Sequence, residues 1–273
     1  MHFAAVQFDI AWEDKPSNHR QMETMLDDAL IPEHAFALLP ELGDTGFSFN
    51  LQTIVDDQTS TWASAQAQSR RAWIQAGEAQ LGDDGKGRNR ATLYHPDGST
   101  GLTYEKVHPF SYGKEVEHFS GGEHLALTRV GDGDDSFVVC PLICYDLRFP
   151  ELWRLATLAG AEVFTIGASW PAARQHHWRT LLIARAIENQ AFVVACNRTG
   201  NDPHLPYAGG SMIISPDGTI LAEADDAPAV ISADLDRGEL ERWRAKFPAI
   251  RDIHADLLGS VPIQLGDDGA PKS

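Results

Sequence analysis

The chain has 273 residues, 43% of them hydrophobic, and its 39 acidic against 22 basic side chains give a formal net charge of −17. That excess of acid makes nucleic acid and anionic membrane poor partners, and no apolar run approaches the ~20 residues of a membrane span. The cysteines, Cys140, Cys144 and Cys196, are odd in number and form no C-x-x-C, which argues against a disulfide framework or a structural zinc site.

His2 to Ile10 is a strand candidate that begins without a basic n-region or an apolar signal segment, so the expectation is a cytoplasmic protein. A helix follows from Pro16-Ser17, with Ser17 as its candidate N-cap and Met22, Met25, Leu26, Ala29 and Leu30 at helical spacing. Phe36 to Pro40 is a short apolar strand ending at Glu41. Next come a glycine-punctuated loop to Phe49, an Ala- and Gln-rich helix from Thr61 to about Arg71, and a strand from Trp73 to Leu81. Asn89–His95 and Gly101–Val107 flank Pro96-Asp97-Gly98, a hairpin signal. Pro109 to Gly122 reads as an irregular loop holding Lys114, Glu115 and Glu117.

Phe137 to Cys144 is a buried strand, followed by a sharp turn and a helix from Pro150 to Ala159. Val163–Ser169 and Phe192–Asn197 are further buried strands around a helix from Gln175 to Gln190. Ala208–Pro216 and Thr219–Ala224 form a second hairpin, and Glu239–Lys246 a short helix. From about residue 260 the composition is that of a loose tail, most clearly Gly266 to Ser273. With strands and helices alternating and no low-complexity linker, the expectation is one α/β domain over 1–273. The main alternative is a doubly wound nucleotide-binding sheet, which no G-x-G-x-x-G or G-x-x-x-x-G-K-[ST] supports.

Three strands end in reactive groups: Glu41, Lys106 and Cys144. Carboxyl ends of strands are where open α/β folds build sites. A thiol beside a helix N-terminus gains a more stable thiolate. A carboxylate can take its proton and later activate water. An ammonium, with the Tyr145 backbone N–H, can hold the oxyanion of a tetrahedral intermediate. The set suits acyl transfer from an amide through a thioester. Cys140 and Cys196 read as small buried hydrophobes. His108, His118, His176 and His177 lack metal-ligand spacing.

Leu39-Pro-Glu-Leu with Thr45-Gly-Phe47, Tyr104-Glu-Lys-Val-His-Pro-Phe110 and Leu142-Ile-Cys-Tyr-Asp-Leu-Arg-Phe-Pro-Glu151 resemble the signature blocks of the nitrilase superfamily of carbon–nitrogen hydrolases, in that family's order. The resemblance runs from His2 to about Arg251. It implies an αββα sandwich whose protomers commonly dimerise, and neither metal nor organic cofactor. It assigns Glu41 as general base, Lys106 as oxyanion cation and Cys144 as nucleophile. It adds a further glutamate at Glu115, with Glu117 as the competing assignment. Ala168 to Ala172, His177-Trp178, Ala184 to Gln190 and Cys196-Asn-Arg198 look most like the ω-amidase branch, which cleaves the terminal amide of 2-oxoglutaramate and 2-oxosuccinamate. Such a substrate needs a cationic anchor. Arg148, Arg174 and Arg198 are the candidates, with Lys114 behind them and Phe110 and Trp170 as pocket walls. Deaminated glutathione, an N-carbamoyl compound, another aliphatic amide or a nitrile are the alternative substrates. A catalytically silent interaction protein on the same scaffold is the alternative of another class.

Overall fold

The computed structural model describes residues 1–266. In chain order the strands and α-helices are β1 (His2–Gln7), α1 (Lys15–Asp28), β2 (Phe36–Leu38), α2 (Leu51–Ile54), α3 (Gln58–Arg70), β3 (Trp73–Leu81), β4 (Gly87–Tyr94) and β5 (Thr100–Glu105). There follow α4 (Glu115–His118), β6 (Leu125–Val130), β7 (Phe137–Ile143), α5 (Pro150–Leu158), β8 (Val163–Ala168), α6 (Gln175–Asn189) and β9 (Phe192–Asn197). The last are β10 (Thr199–Asn201), β11 (Pro206–Ala208), β12 (Met212–Ile214), β13 (Ile220–Glu223), β14 (Ala229–Asp234), α7 (Arg237–Lys246) and β15 (Ile263–Leu265).

Two mixed sheets result, in the orders β14-β1-β2-β3-β4-β5 and β13-β12-β9-β8-β7-β6-β15. Strand alternation explains how each sheet is buried on both faces. In β1 and β2, Phe3, Ala5, Phe36 and Leu38 join the cluster between the sheets. Val6, Ala37 and the following Leu39 instead meet Met22 and Leu26 of α1 and Ala63 and Ala67 of α3. Between the sheets, Phe3 stacks on Phe36 (ring centroids 5.1 Å) and meets Phe137 edge-on at 6.0 Å, and Phe137 meets Phe192 at 6.0 Å. Burying each such ring contributes about 1.5–3 kcal/mol. On the far side, Trp153 and Ala156 of α5 and Trp178, Leu182 and Ala186 of α6 extend the core outward. The order is therefore helices, sheet, sheet, helices: an αββα sandwich, not one doubly wound sheet.

Several local expectations change. The N-cap of α1 is Asp14, whose carboxylate accepts the Ser17 N–H at 3.1 Å; Ser17 lies inside the first turn. The loop after Pro109 contains α4, and β6 and β14 were not evident from pattern. β14 pairs antiparallel with β1, so the first sheet is completed by a strand from the far end of the chain. The part of the expected tail at Ile263–Leu265 is a strand running parallel to β6; residues 267–273 of that tail lie outside the described residues. Among the described residues no helix is long and apolar enough to cross a membrane.

Two glycines, one from each sheet, set the position of the segment after β2. A Cβ on Gly77 of β3 would lie 2.5 Å from the Pro40 carbonyl oxygen and 2.7 Å from the Leu42 nitrogen. A Cβ on Gly167 of β8 would lie 2.9 Å from the Leu39 carbonyl oxygen and 3.0 Å from the Glu41 nitrogen. The backbone carrying Glu41 is thus gripped where only hydrogen side chains fit. Gly77→Ala is expected to lower unfolding free energy by about 1–3 kcal/mol, read as a shift of the urea midpoint at unchanged slope.

Candidate active site

Glu41, Lys106 and Glu115 form a buried ion cluster. The Lys106 Nζ donates to Glu41 Oε1 at 2.7 Å and to Glu115 Oε2 at 2.9 Å. Asn89 of β4 donates from Nδ2 to Oε1 of both glutamates, at 2.9 Å each. The Ser169 N–H fixes the other Glu41 oxygen at 2.8 Å, and the Phe110 N–H reaches Glu115 Oε2 at 2.5 Å. Burial alone disfavours the Lys106 charge. Glu115 and Glu41, with Cys144, more than offset it, so the ammonium pKa lies above the usual lysine range. Glu117 is exposed on the outer side of α4 and takes no part.

Cys144 opens a short 3-10 turn, Cys144–Arg148, immediately after β7. Its φ of 44° is in the left-handed region, where a non-glycine residue costs of order 1–3 kcal/mol. Asp146 holds that turn. One carboxylate oxygen accepts the Ile143 N–H at 3.1 Å and the Tyr104 hydroxyl at 2.8 Å. The other accepts the His108 N–H at 3.0 Å and lies 3.0 Å from His108 Nδ1. Cys144 as a whole is only 8% exposed. Its pKa is pushed well above the usual range by burial and then by the Glu41 carboxylate, which also takes its hydrogen bond, with Lys106 opposing. The expected thiolate stabilisation by a helix N-terminus is therefore not what dominates: α5 starts only at Pro150, and a carboxylate is nearer.

The thiol and Lys106 open into a cavity walled by Phe47, Phe110, Tyr145, Trp170, Leu205 and Tyr207, with Arg148 and Arg174 at its edge. The Arg148 guanidinium lies 4.7 Å from the Trp170 ring centroid, and that of Arg174 lies 5.5 Å from Phe110. Neither guanidinium is ion-paired among the described residues. Burial, then the neighbouring Arg174 charge, lowers the Arg148 pKa.

The carbon-nitrogen hydrolase family model matches residues 3–245. The chain belongs to this family. It is 36% identical over 259 residues to the 2-oxoglutaramate amidase of Bacillus subtilis, covering 93% of this chain and 98% of that one. It is 37% identical over 251 residues to omega-amidase YafV of Escherichia coli K12, covering 90% and 94%. Among solved structures, a CN-hydrolase superfamily protein of Xanthomonas campestris superposes with a TM-score of 0.86 at 29% identity, over 93% of this chain and 97% of that one.

In this carbon–nitrogen hydrolase the residues singled out from sequence mostly converge. Glu41, Lys106, Cys144 and Glu115 meet within hydrogen-bonding reach, and Tyr145, Phe110, Arg148, Trp170 and Arg174 line one cavity. Arg198 does not reach that cavity. Its guanidinium is fully buried, donating to Asp9 and to the Ile10 and Asn201 carbonyls, and it lies 4.4 Å from the Tyr207 ring centroid. It supports the wall from behind and is withdrawn as a carboxylate anchor. Asn89, Asp146 and Ser169 were missed as site residues. Asn89 sits inside an ordinary-looking strand, whereas Asp146, two residues past the cysteine, carried a readable turn signal.

Because the Glu41 charge raises the Cys144 pKa while Lys106 lowers it, removing the carboxylate shifts the thiol downward. Titrating thiolate ultraviolet absorbance should give a lower midpoint in Glu41→Gln than in the wild type; an equal or higher midpoint contradicts this electrostatic ordering.

Proposed function

We propose that the protein is an ω-amidase, which hydrolyses the terminal amide of a short 2-oxo acid such as 2-oxoglutaramate or 2-oxosuccinamate to the dicarboxylate and ammonia. The observation that carries it is the pair of guanidiniums, Arg148 and Arg174, that have no carboxylate partner among the described residues and line an aromatic cavity with Cys144 and Lys106. In a chain of net charge −17, unpaired buried-edge cations favour an anionic group of the substrate. The amidases named above, similar over nine-tenths of the chain, support the same substrate class.

Catalysis then follows from the cluster. Glu41 takes the Cys144 proton as the thiolate attacks the amide carbon. That proton transfer is coupled to attack, because the free thiol is held protonated. The oxyanion forms against the Lys106 ammonium and the Tyr145 N–H. Glu41 returns the proton to the departing nitrogen, and ammonia leaves with the thioester formed. Glu41 next removes a proton from water, which attacks the thioester, and the thiol regains the proton as the acid departs. Glu115 and Asn89 keep Lys106 charged and aimed. We place the enzyme in the cytoplasm, supported by its free cysteines, Cys140, Cys144 and Cys196. We read it as a homodimer, supported by exposed Leu158 on α5 and Ile187 on α6.

Ammonia release with 2-oxoglutaramate tests this directly. Cys144→Ala should lose at least about 10⁴-fold in kcat, while Cys140→Ala keeps turnover. Arg148→Leu should raise KM by about tenfold or more, the loss of a charge-assisted pair. Faster turnover of a simple aliphatic amide, of deaminated glutathione or of a nitrile than of 2-oxoglutaramate overturns the substrate assignment.

A further inference from the structure

The anchor Arg148 is itself held by a residue that no part of the mechanism uses. Its Nη2 lies 3.3 Å from His177 Nδ1, on the first turn of α6. A guanidinium is always charged and can only donate. The ring nitrogen facing it is therefore the acceptor, with the ring neutral. Trp170 fixes the face of the guanidinium, and His177 fixes its edge; together they define one orientation for a long side chain with several rotamers. Among the described residues no carboxylate pairs with Arg148, so this neutral acceptor does what an acid would do at the cost of the anchor's charge. Asp or Glu at position 177 would compete with the substrate carboxylate; a neutral ring does not.

We propose that His177 is a positioning residue for the substrate's acid group, holding Arg148 over Trp170 at the cavity edge. The inference rests on the ω-amidase reading. Beside the ring lie the Arg148 guanidinium, from the turn after β7, and His176, whose ring centroid is 6.2 Å away. No carboxylate lies within ion-pairing distance of His177 among the described residues.

Steady-state kinetics of the full chain test this with 2-oxoglutaramate and with an aliphatic amide lacking a carboxylate. His177→Leu should raise KM for 2-oxoglutaramate about five- to tenfold, with kcat within about twofold. It should leave the uncharged amide unaffected. His177→Asn, whose Oδ1 can accept the same hydrogen bond, should restore most of the KM. A KM within about twofold of wild type in His177→Leu, while Arg148→Leu still raises it, overturns the role of His177 and leaves the anchor standing. Equal loss of kcat for both substrates in His177→Leu also overturns it, since that marks a structural defect. If Arg148→Leu leaves KM for 2-oxoglutaramate unchanged, the anchor reading fails, and this inference fails with it.

Discussion

The site depends on one buried lysine ammonium held between two carboxylates. Lys106 is 1% exposed, and both glutamates that bind it are buried. Taking three charges out of water is expensive, and attraction offsets the cost only when the remaining lone pairs are also satisfied. Here they are: Asn89, Ser169 N–H and Phe110 N–H complete the carboxylates. The members come from the ends of β2 and β5, the middle of β4, the start of α4 and the residue after β8. No two share a turn, so the cluster exists only when both sheets are in register. Fold and site are therefore one cooperative object, and loss of Lys106 would leave two buried carboxylates without their cation.

The cluster also explains why a strained cysteine can wait as a thiol. With two carboxylates and one ammonium, the group has a net negative balance, so an additional thiolate is unwelcome until negative charge can move to a substrate oxygen. The φ of Cys144 is stored strain, and Asp146 keeps it from relaxing by tying the turn to Tyr104 and to His108. Those two residues bracket Lys106 in sequence. The nucleophile and the cation are thus spaced by a single carboxylate that touches neither of them.

Most strands were readable, because Phe36–Leu38, Phe137–Ile143 and Val163–Ala168 are apolar runs ended by turn residues. So were the three reactive strand ends. Their convergence was not, since it is set by long-range close approach: Gly77 and Gly167 look like two unrelated glycines in two strands until both are seen against the same Pro40–Glu41 backbone. Asn89 was invisible because it sits between Arg88 and Arg90 in what reads as an ordinary polar-edged strand. β14 was unreadable for a related reason. Its exposure alternates weakly at a sheet edge, and its partner β1 lies more than 220 residues away in sequence. Arg198 misled because a buried arginine and a ligand-binding arginine look alike in sequence; its partners, Asp9 and the Ile10 and Asn201 carbonyls, distinguish them.

Charge acts at two ranges, and the difference bears on which molecules reach Cys144. At long range the −17 surface repels anions, but salt screens it beyond about 8 Å. Within that distance an entering anion meets Arg148 and Arg174, whose fields are less screened because aromatic rings flank them. A small acid can lie wholly inside this short-range zone. An extended polyanion cannot, since most of its charge would face the acidic exterior. The far end of the cavity adds a second condition: the carbon attacked must carry an oxygen able to face Lys106 and a leaving nitrogen able to take a proton from Glu41. A short acid with a terminal amide meets both conditions at once, since Arg148, Arg174, Lys106 and Cys144 line the same cavity.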